Sequence, residues 1–138
     1  MLPSWNGYIS PVETDEWAHG RDHVNCLAAA HRVDEYLRVL WKTVQSMPEY
    51  KDKTTLIFSP DHGRGHGPKW TNHGTEVPNS KYIWMAFMGP DTPALGERSK
   101  TPAVTQSQIA ATLAGFLGQD YDADVPKAGK PVAEALRH

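Results

Sequence analysis

Thr54-Thr55-Leu56-Ile57-Phe58-Ser59-Pro60-Asp61-His62-Gly63 decides how the rest of the chain is read. Thr54 to Phe58 form a short apolar run rich in β-branched and aromatic side chains. Coming after a helical pattern, such a run reads as a buried strand of a parallel sheet. Pro60 stops it, and Asp61-His62-Gly63 follows at once. The carboxyl end of a buried strand is where open α/β sheets place their ligands. A carboxylate beside an imidazole there, with His66 and His73 close behind, has the make-up of a metal site, because borderline ions such as zinc take both donors. The plainer reading of Asp61-His62 is a solvated turn.

Upstream, Glu13-Thr-Asp-Glu-Trp-Ala-His19 places Asp15 and His19 four residues apart. On a helical turn that spacing puts both side chains on one face, close enough to share an ion. Alternatively, Asp15 caps a helix and His19 is an ordinary exposed side chain. From His23 to Met47 the pattern is helical, with Leu27, Ala30, Val33, Leu37, Leu40, Trp41 and Val44 recurring at three- and four-residue steps. Pro48 ends it, since it disfavours helical geometry in the residue before it. Tyr8-Ile-Ser-Pro-Val12 is a weak strand signal, damaged by Pro11.

Downstream, Gly63-Arg-Gly-His-Gly-Pro68 is a loop flexible enough to wrap closely around an ion or an anion. Arg64 has the chemistry to pair with a phosphate or sulfate oxygen, or is a solvated loop charge. Lys81-Tyr-Ile-Trp-Met-Ala-Phe-Met88 reads as a second apolar strand, stopped by Gly89-Pro90. Thr105-Gln-Ser-Gln108 has the form of a capping box. Ile109, Leu113, Phe116 and Leu117 give the apolar face of a short helix closed by Gly118. Residues 119–138 read as a polar tail with a last half-helix at Val132 to Leu136.

Bulk properties narrow the classes. The 138 residues fit one domain or part of one, and 39% apolar composition is ordinary for a globular chain. A net charge of −2 argues against an electrostatic nucleic-acid binder. The single cysteine, Cys26, excludes an internal disulfide and a cysteine-rich zinc site. No apolar run approaches the roughly 20 residues of a membrane span. Met1-Leu-Pro-Ser-Trp-Asn6 lacks the basic and apolar regions of a signal peptide.

In order, the motifs are Asp15-x-x-x-His19, a helix, a strand ending in Asp61-His62-Gly63, and His73-Gly-x-x-Val-Pro78 before a strand ending in Gly89-Pro90. This series resembles the C-terminal half of the alkaline phosphatase superfamily over residues 8–118. That superfamily includes phosphatases, nucleotide pyrophosphatase/phosphodiesterases, sulfatases and cofactor-independent phosphoglycerate mutases. The resemblance implies an α/β fold: part of an α/β/α sandwich, with a mixed sheet flanked by helices, forming a single partial domain over 1–138. It implies that Asp15, His19 and His73 hold one metal and that Asp61 and His62 hold a second. Two divalent metals are expected in the complete enzyme, zinc first and manganese or iron as alternatives.

The implied function is metal-dependent hydrolysis of a small phosphate ester, with Arg64 as a substrate contact. The family's nucleophile and one further Asp ligand come from its first half, which this sequence does not contain. The catalytic nucleophile is therefore not assigned, and a catalytically inactive metal-binding relative is the alternative. A sulfatase-type hydrolase is a further alternative, although Cys26 lacks the Cys-x-Pro-x-Arg setting that sulfatase maturation needs. Complete relatives are often exported. A sheet edge left open by the absent half would favour homo-oligomers.

Overall fold

The computed structural model describes residues 7–136, so Met1–Asn6, where the signal-peptide reading falls, and the unassigned His138 lie outside the described residues. The chain divides into two compact units, Met1–Lys42 and Thr43–His138.

The first unit is built on two helices, α1 (Glu13–His19) and the start of α2 (His23–Ser46). Glu13, Asp15 and Glu16 stand in the first turn of α1, where negative charge suits the helix dipole. Val12 occupies the N-cap, so Asp15 is a first-turn residue and not the cap. Arg21 ends the helix in the left-handed region, with φ 61°. The Arg21 N–H donates to the Ala18 carbonyl at 3.0 Å and the Asp22 N–H to the Trp17 carbonyl at 2.9 Å. Those two bonds make a Schellman motif, here with arginine where glycine is usual. Asp22 then opens α2: its Oδ1 accepts the Asn25 backbone N–H at 3.0 Å, and its Oδ2 accepts the Asn25 side-chain amide at 2.9 Å. These bonds favour the carboxylate and hold the Asp22 carboxyl below its ordinary value, the backbone bond contributing most.

Two contacts tie α1 to α2. Arg32 pairs with Glu13 at 2.6 Å, and the Cys26 thiol donates to the Thr14 carbonyl at 3.4 Å. Ala18 on α1 and Ala29 on α2 are fully buried. Small side chains are what a close approach of two helix backbones leaves room for. The expected stripe on α2 holds over Val33, Leu37, Leu40, Trp41 and Val44, which are half-buried, but Leu27 and Ala30 are exposed. The helix stops one residue before Met47, as Pro48 requires. Tyr8 to Val12 form no strand, and all are exposed.

In the second unit, β1 (Leu56–Phe58) pairs with β2 (Ala86–Met88). The register is Leu56↔Met88, Ile57↔Phe87 and Phe58↔Ala86, antiparallel. The parallel-sheet expectation for Thr54 to Phe58 is therefore corrected. Parallel pairing needs a crossover, usually a helix. Between these strands the described chain has only turns and one 3₁₀ turn at Gly67–Lys69. The strand is also half-buried and not a fully covered central one. The fold class holds in its coarse form, as mixed helix and sheet. Just before β2, Ile83 forms a single antiparallel bridge with Val104.

Aromatic side chains pack around this ladder. Phe58 and Trp84 meet edge to face with centroids 5.1 Å apart, and Phe87 lies 6.2 Å from Phe116 of α3 (Ile109–Phe116). The expected capping box of Thr105 and Gln108 is present, with Gln108 Oε1 accepting the Thr105 N–H at 3.0 Å. Gly118 closes α3 in the left-handed region, with φ 70°. The buried face of α3 differs from the expected one: Ala111 and Thr112 are buried, while Leu113 and Leu117 are exposed. Ala135 and the backbone of Val132 explain why. Residues 119–136 fold back, carrying α4 (Tyr121–Asp124) and a 3₁₀ turn at Ala133–Ala135. The Thr112 hydroxyl donates to the Gln108 carbonyl at 2.7 Å and accepts the Val132 N–H at 2.9 Å. Lys130 pairs with Asp122 at 2.7 Å. Among the described residues, no helix is long and apolar enough to cross a membrane.

Candidate metal centre

Gly63 explains the course of the loop that follows β1. Its N–H donates to the Ser80 carbonyl at 2.7 Å. A β-carbon there would lie 2.5 Å from the Tyr82 carbonyl oxygen and 2.6 Å from that of Asn79. Only glycine lets these backbones run so close. Gly65 repeats the arrangement, donating to the Asn72 carbonyl at 3.0 Å. Between the glycines, Arg64 Nη1 donates to the Thr71 carbonyl at 3.0 Å. Three bonds therefore join the Asp61–Gly65 segment to residues 71–80. The second segment is braced in turn: the Ser80 hydroxyl donates to the Val77 carbonyl at 2.8 Å, and Thr71, Val77 and Ser80 are buried.

This bracing brings His62 and His73 together. Their imidazole rings stack with centroids 3.8 Å apart and planes 15° from parallel. Each offers a ring nitrogen, and the two nitrogens lie within 4.8 Å of one another. His62 Nδ1 is 3.0 Å from the Gly63 carbonyl. A carbonyl can only accept, so Nδ1 donates to it, and Nε2 is the nitrogen left to face a ligand. His62 Nε2 lies 3.7 Å from Asp61 Oδ1. That is too long for a hydrogen bond. It is close to the roughly 3.3–3.5 Å between two donors each about 2.0–2.1 Å from one tetrahedral zinc. Asp61 Oδ1 also accepts the His62 backbone N–H at 3.0 Å, which orients the carboxylate. His62 and His73 thus each present a ring nitrogen to the other, and the Asp61 carboxylate stands beside His62; imidazole and carboxylate are donor types that a zinc-like ion accepts.

The other expected ligands belong to the first unit. Asp15 Oδ2 and His19 Nε2 lie 3.4 Å apart on one face of α1, as the four-residue spacing predicts. Asp15 is half-buried and His19 exposed. Within the first unit Asp15 lies beside His19; within the second, Asp61 lies beside His62, whose ring stacks on that of His73. His66 is exposed on the same loop. Arg64, expected at substrate, has at least one guanidinium nitrogen committed to the Thr71 carbonyl.

Sequence reasoning missed the carbonyls of Gly63 and Thr71, which orient His62 and anchor Arg64. The available signal was the Gly63-x-Gly65 spacing. Comparison of the chain with known proteins finds no matching family model, no matching curated relative and no matching solved structure.

Proposed function

We propose that this chain supplies the metal-ligand portion of a metal-dependent phosphoric ester hydrolase of the alkaline phosphatase type. The stacked His62–His73 pair carries the reading. Two near-parallel imidazoles 3.8 Å apart each offer a ring nitrogen within 4.8 Å of the other, close enough to serve neighbouring ions of a two-metal site. Asp61 supplies a carboxylate beside His62, and the Asp15–His19 pair provides a second carboxylate–imidazole set. Zinc suits these donors best, with manganese or iron next. Bound metal would polarise a phosphoryl oxygen and stabilise developing charge. The chain's own part is to orient the His62 ring through its Nδ1 contact with the Gly63 carbonyl and the Asp61 carboxylate through the His62 backbone N–H. On this reading the nucleophile, and the strands that would extend β1 and β2 into an α/β/α sandwich, come from outside these residues.

The test has two stages. Elemental analysis of the purified chain should find zinc or manganese, reduced in a His62→Ala/His73→Ala variant. Supplied with a nucleophile-bearing first half, the metal-loaded chain should hydrolyse an aryl phosphate faster than an aryl sulfate. A folded chain that takes up no metal, or a complemented one that is metal-loaded and inert, overturns the proposal.

A further inference from the structure

Arg64 stands between the two histidines in sequence and bonds across the loop that separates them. Its Nη1 donates to the Thr71 carbonyl at 3.0 Å. Thr71 is buried and lies two residues before His73, while Arg64 lies two residues after His62. The adjacent Gly65 N–H to Asn72 carbonyl bond, also 3.0 Å, runs between the same two segments. A charged donor on a buried carbonyl is the stronger type of hydrogen bond. Arg64 itself is half-buried, so the bond is partly shielded from water. The guanidinium is planar and fixed in direction, which suits a strut better than a flexible ammonium does.

We infer that Arg64 is a positioning residue: its bond to the Thr71 carbonyl holds the spacing of His62 and His73, and so sets the affinity of the metal centre. The inference rests on the proposed metal-binding function. It gives Arg64 a different part from the anion contact that its chemistry suggests. A side chain that orients ligands without touching the ion acts like the hydrogen-bond partners around other metal centres, whose loss weakens binding about 10- to 100-fold.

The experiment is zinc titration of the purified chain against a chromophoric chelator, with Co²⁺ absorption as a second readout. Wild type, Arg64→Ala, Arg64→Gln, Arg64→Lys and His66→Ala are compared, each first checked for folding by circular dichroism. Arg64→Ala and Arg64→Gln should bind zinc about 10- to 100-fold more weakly and shift the Co²⁺ band. Arg64→Lys, which keeps a charged donor, should fall between them and wild type, and His66→Ala should match wild type. A merely structural arginine would lower the melting temperature and leave zinc affinity and the Co²⁺ band unchanged in the folded variants. That result overturns the inference. If Arg64→Ala fails to fold, Arg64→Gln decides on the same criterion. Wild type binding no zinc overturns the parent reading instead, and is distinguished by the first titration.

Discussion

The imidazoles of His62 and His73 lie face to face, 3.8 Å between centroids and 15° from parallel. An imidazole binds a metal through a nitrogen that carries no proton, so metal and proton compete for the same nitrogens. Removing either ring by His62→Ala or His73→Ala should weaken zinc binding by more than the about 10- to 100-fold expected for an outer partner. Acidification should release the ion from wild type with uptake of protons. Calorimetric titration at two pH values checks both outcomes.

Gly63→Ala should destabilise the second unit by about 1–3 kcal/mol, the usual range for overpacking. The added carbon would meet two backbone oxygens, those of Tyr82 and Asn79, at 2.5 and 2.6 Å. Neither can swing aside as a side chain would. Urea unfolding reads the loss, and an unchanged midpoint would contradict the close approach described for this loop.

Thr112→Val keeps the shape of a fully buried side chain and removes the hydroxyl that accepts the Val132 N–H. An orphaned buried donor costs about 1–3 kcal/mol. Thr112→Ser keeps the hydroxyl and loses one methyl, so its cost should be about 0.8 kcal/mol. Hydrogen exchange should show faster exchange at Val132 in the valine variant and not in the serine variant.

Asp22 links stability to acid. Its folded carboxyl sits below the ordinary 3.8, because the Asn25 backbone N–H and then the Asn25 side chain bond to the carboxylate. The stabilisation is therefore complete above 3.8 and is lost as pH falls through the depressed folded value. Asp22→Ala should melt at a lower temperature than wild type at pH 7. The gap should narrow at pH 2, where both chains lack the charge.

Helix limits and the approach of Asp15 to His19 were legible because both are local. Pro48 marks the end of α2, Gly118 marks the end of α3, and four-residue spacing brings Asp15 to His19. Strand direction was not legible, since Leu56–Phe58 has the same local pattern in either pairing. The buried face of α3 was misjudged because periodicity favours large apolar residues such as Leu113. The face is set instead by residues 119–136 closing on Ala111 and Thr112. That segment is held by the Thr112 hydroxyl, by the Gly129 N–H on the Ser107 carbonyl and by the Gln108 side-chain amide on the Lys130 carbonyl, long-range bonds without a sequence signature. The sequence shows His73 only as an imidazole in a loop, eleven residues after His62. The Gly63, Gly65 and Arg64 bonds that bring it to His62 depend on a loop path no spacing rule gives.

The antiparallel ladder also bears on how the molecule assembles. β1 and β2 are three residues each, and all of residues 59–85 lie between them. Closing a loop of that length costs about 3 kcal/mol in chain entropy before any ladder bond forms. Two such short strands are marginal as a pair. The ladder therefore gains its hold only as the intervening loop closes on itself through Gly63, Arg64 and Gly65. The ladder and the loop between its strands are therefore expected to loosen together when Gly63, Arg64 or Gly65 is replaced.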